Sequence, residues 1–539
     1  MNRRRGLLAL VSSGVMVASL AACGGGDDGD GGPSGEDNGS SELGAPWILG
    51  TTDKVTTLDP AGAYDLGSWT LMYNMYQTLL TIPAGDNEPQ GDAAESCEYE
   101  DPKTFTCTLK EGLTFANGNE LTSSDVAFSL TRNIEIADPN GASGLLSSIT
   151  AEEGGAVTDG AIETPDDQTI TFHLNRPDTI FQFILTTNAT AIVDEETFPA
   201  DALVENAEAV GSGPFSMDQY EDGQQAVLTA NPEYDGPKEP QSERVFVQYF
   251  QQPAQLKQAV QTGDIDVAWR SLSPTDINDL KDSDSVSVLE GEGSEIRYWV
   301  WQLGTQVGKQ KAVRQAAAEL IDREAIAENA YAGTVDPLKS IVPPGFPGQI
   351  AAFEEKYGAN NADEAKKLLD DAGINTPVDI TLGYTPSHYG PNAVDEANEF
   401  ARQLEDGGVF NVKIESAEWT QYQNLYKENA YDLFQLGWFP DYLDADNYLA
   451  PFFVDGGFYQ NNYSNEKVNE LVAAEQASSD PAERQRIFKE LQTIVAEDVP
   501  LIPSWVGKNV AIAGPGMEGV QATLDPAFIF RFWEVSKAE

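Results

Sequence analysis

Asp441, Asp444 and Asp446 lie in one short stretch of the chain. Two carboxylates held a few ångströms apart can divide general-acid and general-base work. The other side chains that usually carry catalysis are scarce. There are only two histidines, His173 and His388, too few for a histidine-rich metal centre. His173 belongs to the alternating stretch Thr169-Ile170-Thr171-Phe172-His173-Leu174, on the polar side with Thr169 and Thr171. No G-x-S-x-G elbow, H-E-x-x-H, P-loop or C-x-x-C pair occurs. Gly24, Gly26 and Gly29 fit G-x-G-x-x-G, but no strand precedes them and no helix follows. The expectation is a binding protein: not an enzyme, with no metal and no cofactor.

The chain has three cysteines, Cys23, Cys97 and Cys107. Cys23 follows a basic run, Asn2-Arg3-Arg4-Arg5, and a mainly apolar stretch over residues 6–20, the pattern of a secretory signal. The apolar stretch is shorter than the ~20 residues a spanning helix needs. It ends in Leu20-Ala21-Ala22-Cys23, which resembles the bacterial lipobox. Residues 1–22 are therefore expected to be a lipoprotein signal peptide, with Cys23 as the lipidation site. Stable anchoring takes more than one acyl chain, which a lipoprotein anchor supplies. Residues 23–45, with GGGDDGDGGPSGEDNGSSELGA after the cysteine, have too little apolar content to pack. They read as a flexible linker that spans some 25 Å, at about 5–6 Å × √n. Cys97 and Cys107 flank a strand–turn–strand pattern whose turn is Glu100-Asp101-Pro102-Lys103. In an exported protein a disulfide is expected there, with two buried free thiols as the other reading.

The positioning elements must come from what is left, roughly 490 residues, which calls for two or three lobes. The formal net charge is −55, from 32 Lys+Arg against 87 Asp+Glu. Such a surface repels phosphates, so no nucleic-acid partner is expected. The acids are spread along the chain and read as a solvated shell, with a field that attracts cationic ligands as the other reading. No second apolar run is long enough to span a bilayer.

Strands and helices alternate. Thr122 with Asp125 three residues on forms a capping box, and Val126, Leu130 and Ile134 then share one helical face. Helices are also expected over residues 309–320, from Asp322 as N-cap to a stop at Gly333, and over residues 361–369. Residues 245–250 and 378–382 read as strands. The fold class is α/β.

Five blocks, in order, carry a family resemblance. They are Leu109-Lys110-Glu111-Gly112-Leu113-Thr114-Phe115 with Leu121-Thr122-Ser123-Ser124-Asp125-Val126; Gly211-Ser212-Gly213-Pro214-Phe215 with Asn231-Pro232-Glu233-Tyr234; Gly263-Asp264-Ile265-Asp266; Val313-Arg314-Gln315-Ala316 through Ile321-Asp322-Arg323; and Gly437-Trp438-Phe439-Pro440-Asp441-Tyr442. Together they resemble the family 5 extracellular solute-binding proteins, the dipeptide- and oligopeptide-binding group. The resemblance implies a two-lobed periplasmic-binding-protein-like fold with a hinge and an extra third domain. Lobe I would be discontinuous, residues 46–80 with 210–270 and 503–539. The extra domain would be residues 81–209 and lobe II residues 271–502. It also implies a bacterial lipoprotein on the extracytoplasmic face of the cell membrane, passing peptides to an ABC permease and its ATPase subunits.

In the family's peptide binders an Asp shortly after a Gly-Trp pairs with the ligand's ammonium, and the matching residue is Asp441. An unpaired charge in such a cleft would be very costly. Trp438 would line the pocket or belong to the core. Tyr389 matches a position near the ligand, and Tyr64 and Asp65 are further lining candidates. Dipeptide-binding members carry an Arg near Tyr389 for the ligand carboxylate, whereas this chain has Ser387 and His388. The carboxylate anchor is therefore missing or has moved, which favours longer peptides or ligands with no free carboxylate. The rival readings keep the fold and change the ligand to an oligosaccharide or other small solute, or keep the peptide and replace transport by surface sensing.

Overall fold

Trp47-Ile48-Leu49-Gly50-Thr51 forms the strand β1, Trp47–Thr51, buried nearly throughout. The computed structural model describes residues 43–151, 155–270, 272–358, 360–386, 388–390 and 392–538. The signal stretch, Cys23 and nearly all of the linker lie outside the described residues, as does Ser387. Gly44, expected in the linker, is already tied to the body: its N–H donates to the Gln241 carbonyl at 2.9 Å.

A small antiparallel sheet follows, built from β2 (Ala94–Asp101), β3 (Thr104–Leu109), β4 (Ile162–Asp166) and β5 (Thr169–His173), in the order β2-β3-β5-β4. Cys97 and Cys107 stand directly opposite in the β2–β3 hairpin and are bonded. The helix Ser123–Ile136 opens with the capping box, the Asp125 carboxylate accepting from the Thr122 N–H at 2.8 Å. It buries Val126, Leu130 and Ile134 against Phe105, Phe172 and Phe181. His173 is exposed on the polar face of β5, 3.6 Å from Glu163.

The large sheet takes β1 and then β6 (Phe215–Glu221), β7 (Gln225–Ala230), β8 (Arg244–Tyr249), β9 (Val267–Trp269), β10 (Ser287–Trp301), β11 (Val335–Pro337), β12 (Val378–Tyr384), β13 (Phe410–Ser416), β14 (Leu433–Trp438) and β15 (Leu501–Ala513). Their spatial order is β13-β12-β14-β10-β15-β9-β1-β8-β7-β6, with β11 also on β15. Pairing is mixed: β1 runs parallel to β8 and β9, and β10 antiparallel to β14 and β15. The helices expected near 309–320, 322–333 and 361–369 are Lys311–Ala318, Arg323–Tyr331 and Ala362–Asp371, and Asp322 and Asn361 cap the last two through their side chains.

Besides the core of the small sheet there are two large ones. One gathers Trp47, Trp269, Phe530 and Phe532, at one end of the large sheet. The other gathers Trp299, Trp301, Phe400 and Leu433, at the other end. Strands β10 and β15 reach both: Leu501 and Ile502 belong to the second core, Ala511 and Ala513 to the first.

Candidate functional site

Strand β14 buries Leu433, Phe434, Gln435 and Leu436 and then leaves the sheet. Its last residues pair with β10, Arg297 opposite Gly437 and Ile296 opposite Trp438. A Cβ at position 437 would collide with the Arg297 guanidinium, so the glycine is required for that close approach. Beyond the sheet edge, Asp444 caps a short helical turn, Ala445–Tyr448, by accepting from the Asp446 N–H at 2.8 Å. That turn brings Asn447 back onto the strand end. Asn447 Oδ1 accepts from Trp438 Nε1 at 2.8 Å and from the Asp441 N–H at 3.0 Å, while its Nδ2 donates to Asp441 Oδ2 at 3.3 Å.

The other Asp441 oxygen, Oδ1, accepts from the Tyr64 hydroxyl at 2.5 Å. Tyr64 reaches it from the segment that builds the first core, against Trp69. Burial pushes the Asp441 carboxyl up to about 6, against the opposing effect of the hydrogen bonds from Tyr64 and Asn447. All its hydrogen-bond donors among the described residues are neutral. A cationic group placed there would find a carboxylate with no competing counter-ion.

Asp441 opens on a cavity of about 530 Å³ whose walls include Tyr64, Trp438, Tyr442, Asn447 and Phe458. Tyr64 and Phe458 are 44% and 45% exposed, unusual for large apolar rings. Trp438 lines the cavity and also packs edge-on to Phe452 and Phe458, so it serves the pocket wall and the core together. The other two carboxylates of the cluster are engaged elsewhere. Arg484 binds both oxygens of Asp444, at 2.9 and 2.8 Å, and Asp446 accepts from Tyr442 and Gln476.

Two of the expected lining residues sit elsewhere. Asp65 caps the helix Leu66–Met75: its oxygens accept from the Ser68 N–H and hydroxyl, each at 2.8 Å. Both bonds tie the Asp65 carboxylate to the start of its own helix. Tyr389 lines a second cavity of about 230 Å³, together with Arg270, Arg297, Tyr331, Trp505 and Lys508. The Arg297 guanidinium lies 4.4 Å from the Tyr389 ring centroid, and His388 stacks on Trp419 at 3.8 Å.

Sequence reasoning missed Asn447, Arg270 and Arg297. Nothing in the pattern around Asn447 marks it. Arg297 had a signal: a lone charge inside the apolar run Ile296-Arg297-Tyr298-Trp299-Val300-Trp301.

Residues 88–460 match the model of the bacterial extracellular solute-binding proteins, family 5 Middle. The chain belongs to this family. Among curated relatives it is 27% identical to the probable D,D-dipeptide-binding periplasmic protein DdpA of Escherichia coli, over 84% of this chain and 87% of that one. It is 25% identical to the oligopeptide-binding protein OppA of Bacillus subtilis, over 96% and 97%. Among solved structures, the family 5 fold of this chain resembles the periplasmic binding protein DppA from Helicobacter pylori in complex with the peptide STSA. The TM-score is 0.75 at 22% identity, covering 92% of this chain and 99% of that one. The architecture is thus the α/β periplasmic-binding-protein fold.

Proposed function

We propose that this family 5 protein captures peptides between two lobes, holds their α-ammonium on Asp441, and delivers them to an ABC permease. The observation that carries the reading is Asp441 itself, a carboxylate that opens on a cavity and whose side-chain donors among the described residues, Tyr64 and Asn447, are both neutral, Tyr64 arriving from the segment of the other large core. The names of the relatives, dipeptide- and oligopeptide-binding, support the same ligand class. Lobe I would be residues 46–80, 210–270 and 503–539, lobe II residues 271–502, and the extra domain 81–209. The three larger apolar cores are centred on these three parts, with Ala189, Val193 and Phe198 of the extra domain packed into the core of lobe I. A ligand bridging the two lobes favours their closed arrangement. Cys23 would carry the lipid that keeps the protein on the extracytoplasmic face of the membrane, and its role would be binding and not catalysis.

Native mass spectrometry of the purified protein tests the ligand class. A peptide should be found bound, or tri- to hexapeptides should raise the melting temperature. A ligand at a hundredfold excess over Kd adds about 2.7 kcal/mol. If oligosaccharides alone do so, the peptide assignment is wrong; the exposed rings of Tyr64 and Phe458 would then be the stacking surfaces.

A further inference from the structure

Residues 81–209 are joined to the two sides of the molecule in different ways. Toward the segments assigned to lobe I the joints are buried ion pairs. The two terminal nitrogens of Arg132 donate to Asp59, at 2.7 and 2.6 Å, and Lys238 donates to Asp92 at 2.6 Å. No side chain of either pair is more than 5% exposed. Parting either pair would strand a buried charge, which is strongly destabilising.

Toward residues 271–502 the contacts are slighter. The Thr179 N–H donates to the Gln476 carbonyl at 2.8 Å. The charged groups near that contact pair on their own sides, Arg176 with Asp178 at 3.6 Å and Arg484 with Asp444 and Glu475. Burial pushes the Asp178 carboxyl up, Arg176 opposes this, and the Asp446 carboxylate across the boundary adds to it. Contact here thus brings two like charges together. The boundary is also hollow: the cavity on which Asp441 opens has Leu145, Asp178 and Ile180 on one side and Asp441, Asn447 and Gln476 on the other.

Tyr442 crosses this boundary. It is 8% exposed and, among the described residues, is the one member of 271–502 in the core of the extra domain. Its hydroxyl turns back and donates to Asp446 Oδ2 at 3.0 Å. The ring has an apolar seat on one side and its polar tip a partner on the other. Tyr442 also follows Asp441 directly in the chain. The residue assigned to the ligand and the residue that enters the extra domain share a peptide unit.

We propose that Tyr442 is the closure latch: its ring seats in the extra domain when the cleft shuts on a ligand and leaves that seat when the cleft opens, while the extra domain stays with lobe I. The proposal rests on the two-lobed peptide reading above. The seat buries apolar surface in the closed state alone, so it stabilises that state alone. A ligand that touches both walls of the cavity favours the same state.

Amide hydrogen exchange tests it. The Thr179 N–H is bonded across the boundary, so its exchange reports opening there. Ile170 and Phe172, on a strand paired on both sides, report the extra domain's own core. Without ligand Thr179 should exchange faster than these two. Tri- to hexapeptides that the protein retains should slow Thr179 and leave the other two unchanged. Tyr442→Ala should speed Thr179 by at least about tenfold relative to them, and peptides should dissociate faster from this variant with little change in association rate. Tyr442→Phe keeps the ring and should stay near the wild type. If Thr179 exchanges as slowly as Ile170 and Phe172 in the unliganded wild type, the contact is permanent and the latch is overturned. It is overturned as well if Tyr442→Ala speeds all three alike, the mark of an ordinary core residue, or leaves Thr179 unchanged. Should Tyr442→Ala fail to fold, the wild-type rates without and with peptide decide. If no peptide is retained, the peptide reading falls, and the exchange rates of the unliganded proteins still decide the latch.

Discussion

The Tyr64 hydroxyl donates to Asp441 Oδ1 across 377 residues of chain. The contact joins a residue from the segment of the first core to one that lies just beyond the end of a strand of the second. Asp441 is the residue we assign to the ligand's ammonium, and Tyr64 on Oδ1 with Asn447 on Oδ2 fixes the orientation of its carboxylate. The hydrogen bond also favours the ionised form over the neutral one.

Asp441→Ala should weaken peptide binding by roughly 30-fold or more, since breaking a desolvated charge pair costs about 2–5 kcal/mol and each 1.4 kcal/mol is tenfold. N-acetylating the peptide removes the other partner. It should cost the wild type dearly and the variant little, whereas an exposed pair is worth about 0–1 kcal/mol. Calorimetric titration of the four combinations measures the coupling. Additive losses would remove Asp441 from the site.

Binding should depend on pH through Asp441. Only the ionised carboxylate pairs with an ammonium, so affinity should fall about tenfold per pH unit below a midpoint near 6. Tyr64→Phe deletes a donor to the ionised form, which raises the pKa and moves this acid limb to higher pH. The sign for stability without ligand is opposite. The folded-state pKa lies above the unfolded value of about 3.9, so the native state holds the extra proton between the two. This residue's contribution to stability is therefore largest below about pH 4 and is lost as pH rises through 6. Asp441→Asn should gain on the wild type in melting temperature across that window. Affinity flat between pH 5 and 8 would refute the assignment.

Cys97 and Cys107 face each other in a hairpin. Peptide mapping of the unreduced protein should recover them linked, and both should resist alkylation before reduction. For a loop of about 10 residues the chain-entropy cost is about 2–3 kcal/mol. The Cys97→Ser/Cys107→Ser double variant should therefore unfold at lower urea. Free alkylation of both thiols in the native protein would contradict the pairing.

If Cys23 is acylated, Cys23→Ala should move the protein from the detergent phase to the aqueous phase on phase partition. A wild-type protein wholly in the aqueous phase would defeat the lipobox reading.

Periodicity and capping chemistry are local, and they were legible. Thr122 with Asp125, Asp322 and Asn361 each mark a helix start that the structure has at that position. Asp65 shows the limit: an Asp beside an expected ligand loop and an Asp that caps a helix look alike until the Ser68 N–H is seen to point at it. Asn447 and Arg270 were invisible for a related reason. Their places are set by neighbours far away or newly turned, Trp438 and Asp441 for one, Phe439 and the second cavity for the other. The alignment of Tyr389 with a ligand-adjacent position did not say which cavity it would line. That depends on Arg297 crossing beneath Gly437.

Strands β10 and β15 run side by side from Ser287 opposite Ala513 to Val300 opposite Leu501. The chain thus leaves for the second core on one strand and returns on its neighbour, and residues 302–500 form a single excursion closed at that neck. The entropy of closing so long a loop grows only with the logarithm of its length, and nearly all of this core lies within one continuous stretch. The first core is made differently. It needs Trp47 from the start of the body and Phe530, Phe532 and Val535 from its very end. Since synthesis proceeds from the N-terminus, the excursion and the strand that closes it can fold while the first core still lacks its final aromatic residues. The part of the body that is synthesised first is therefore completed last.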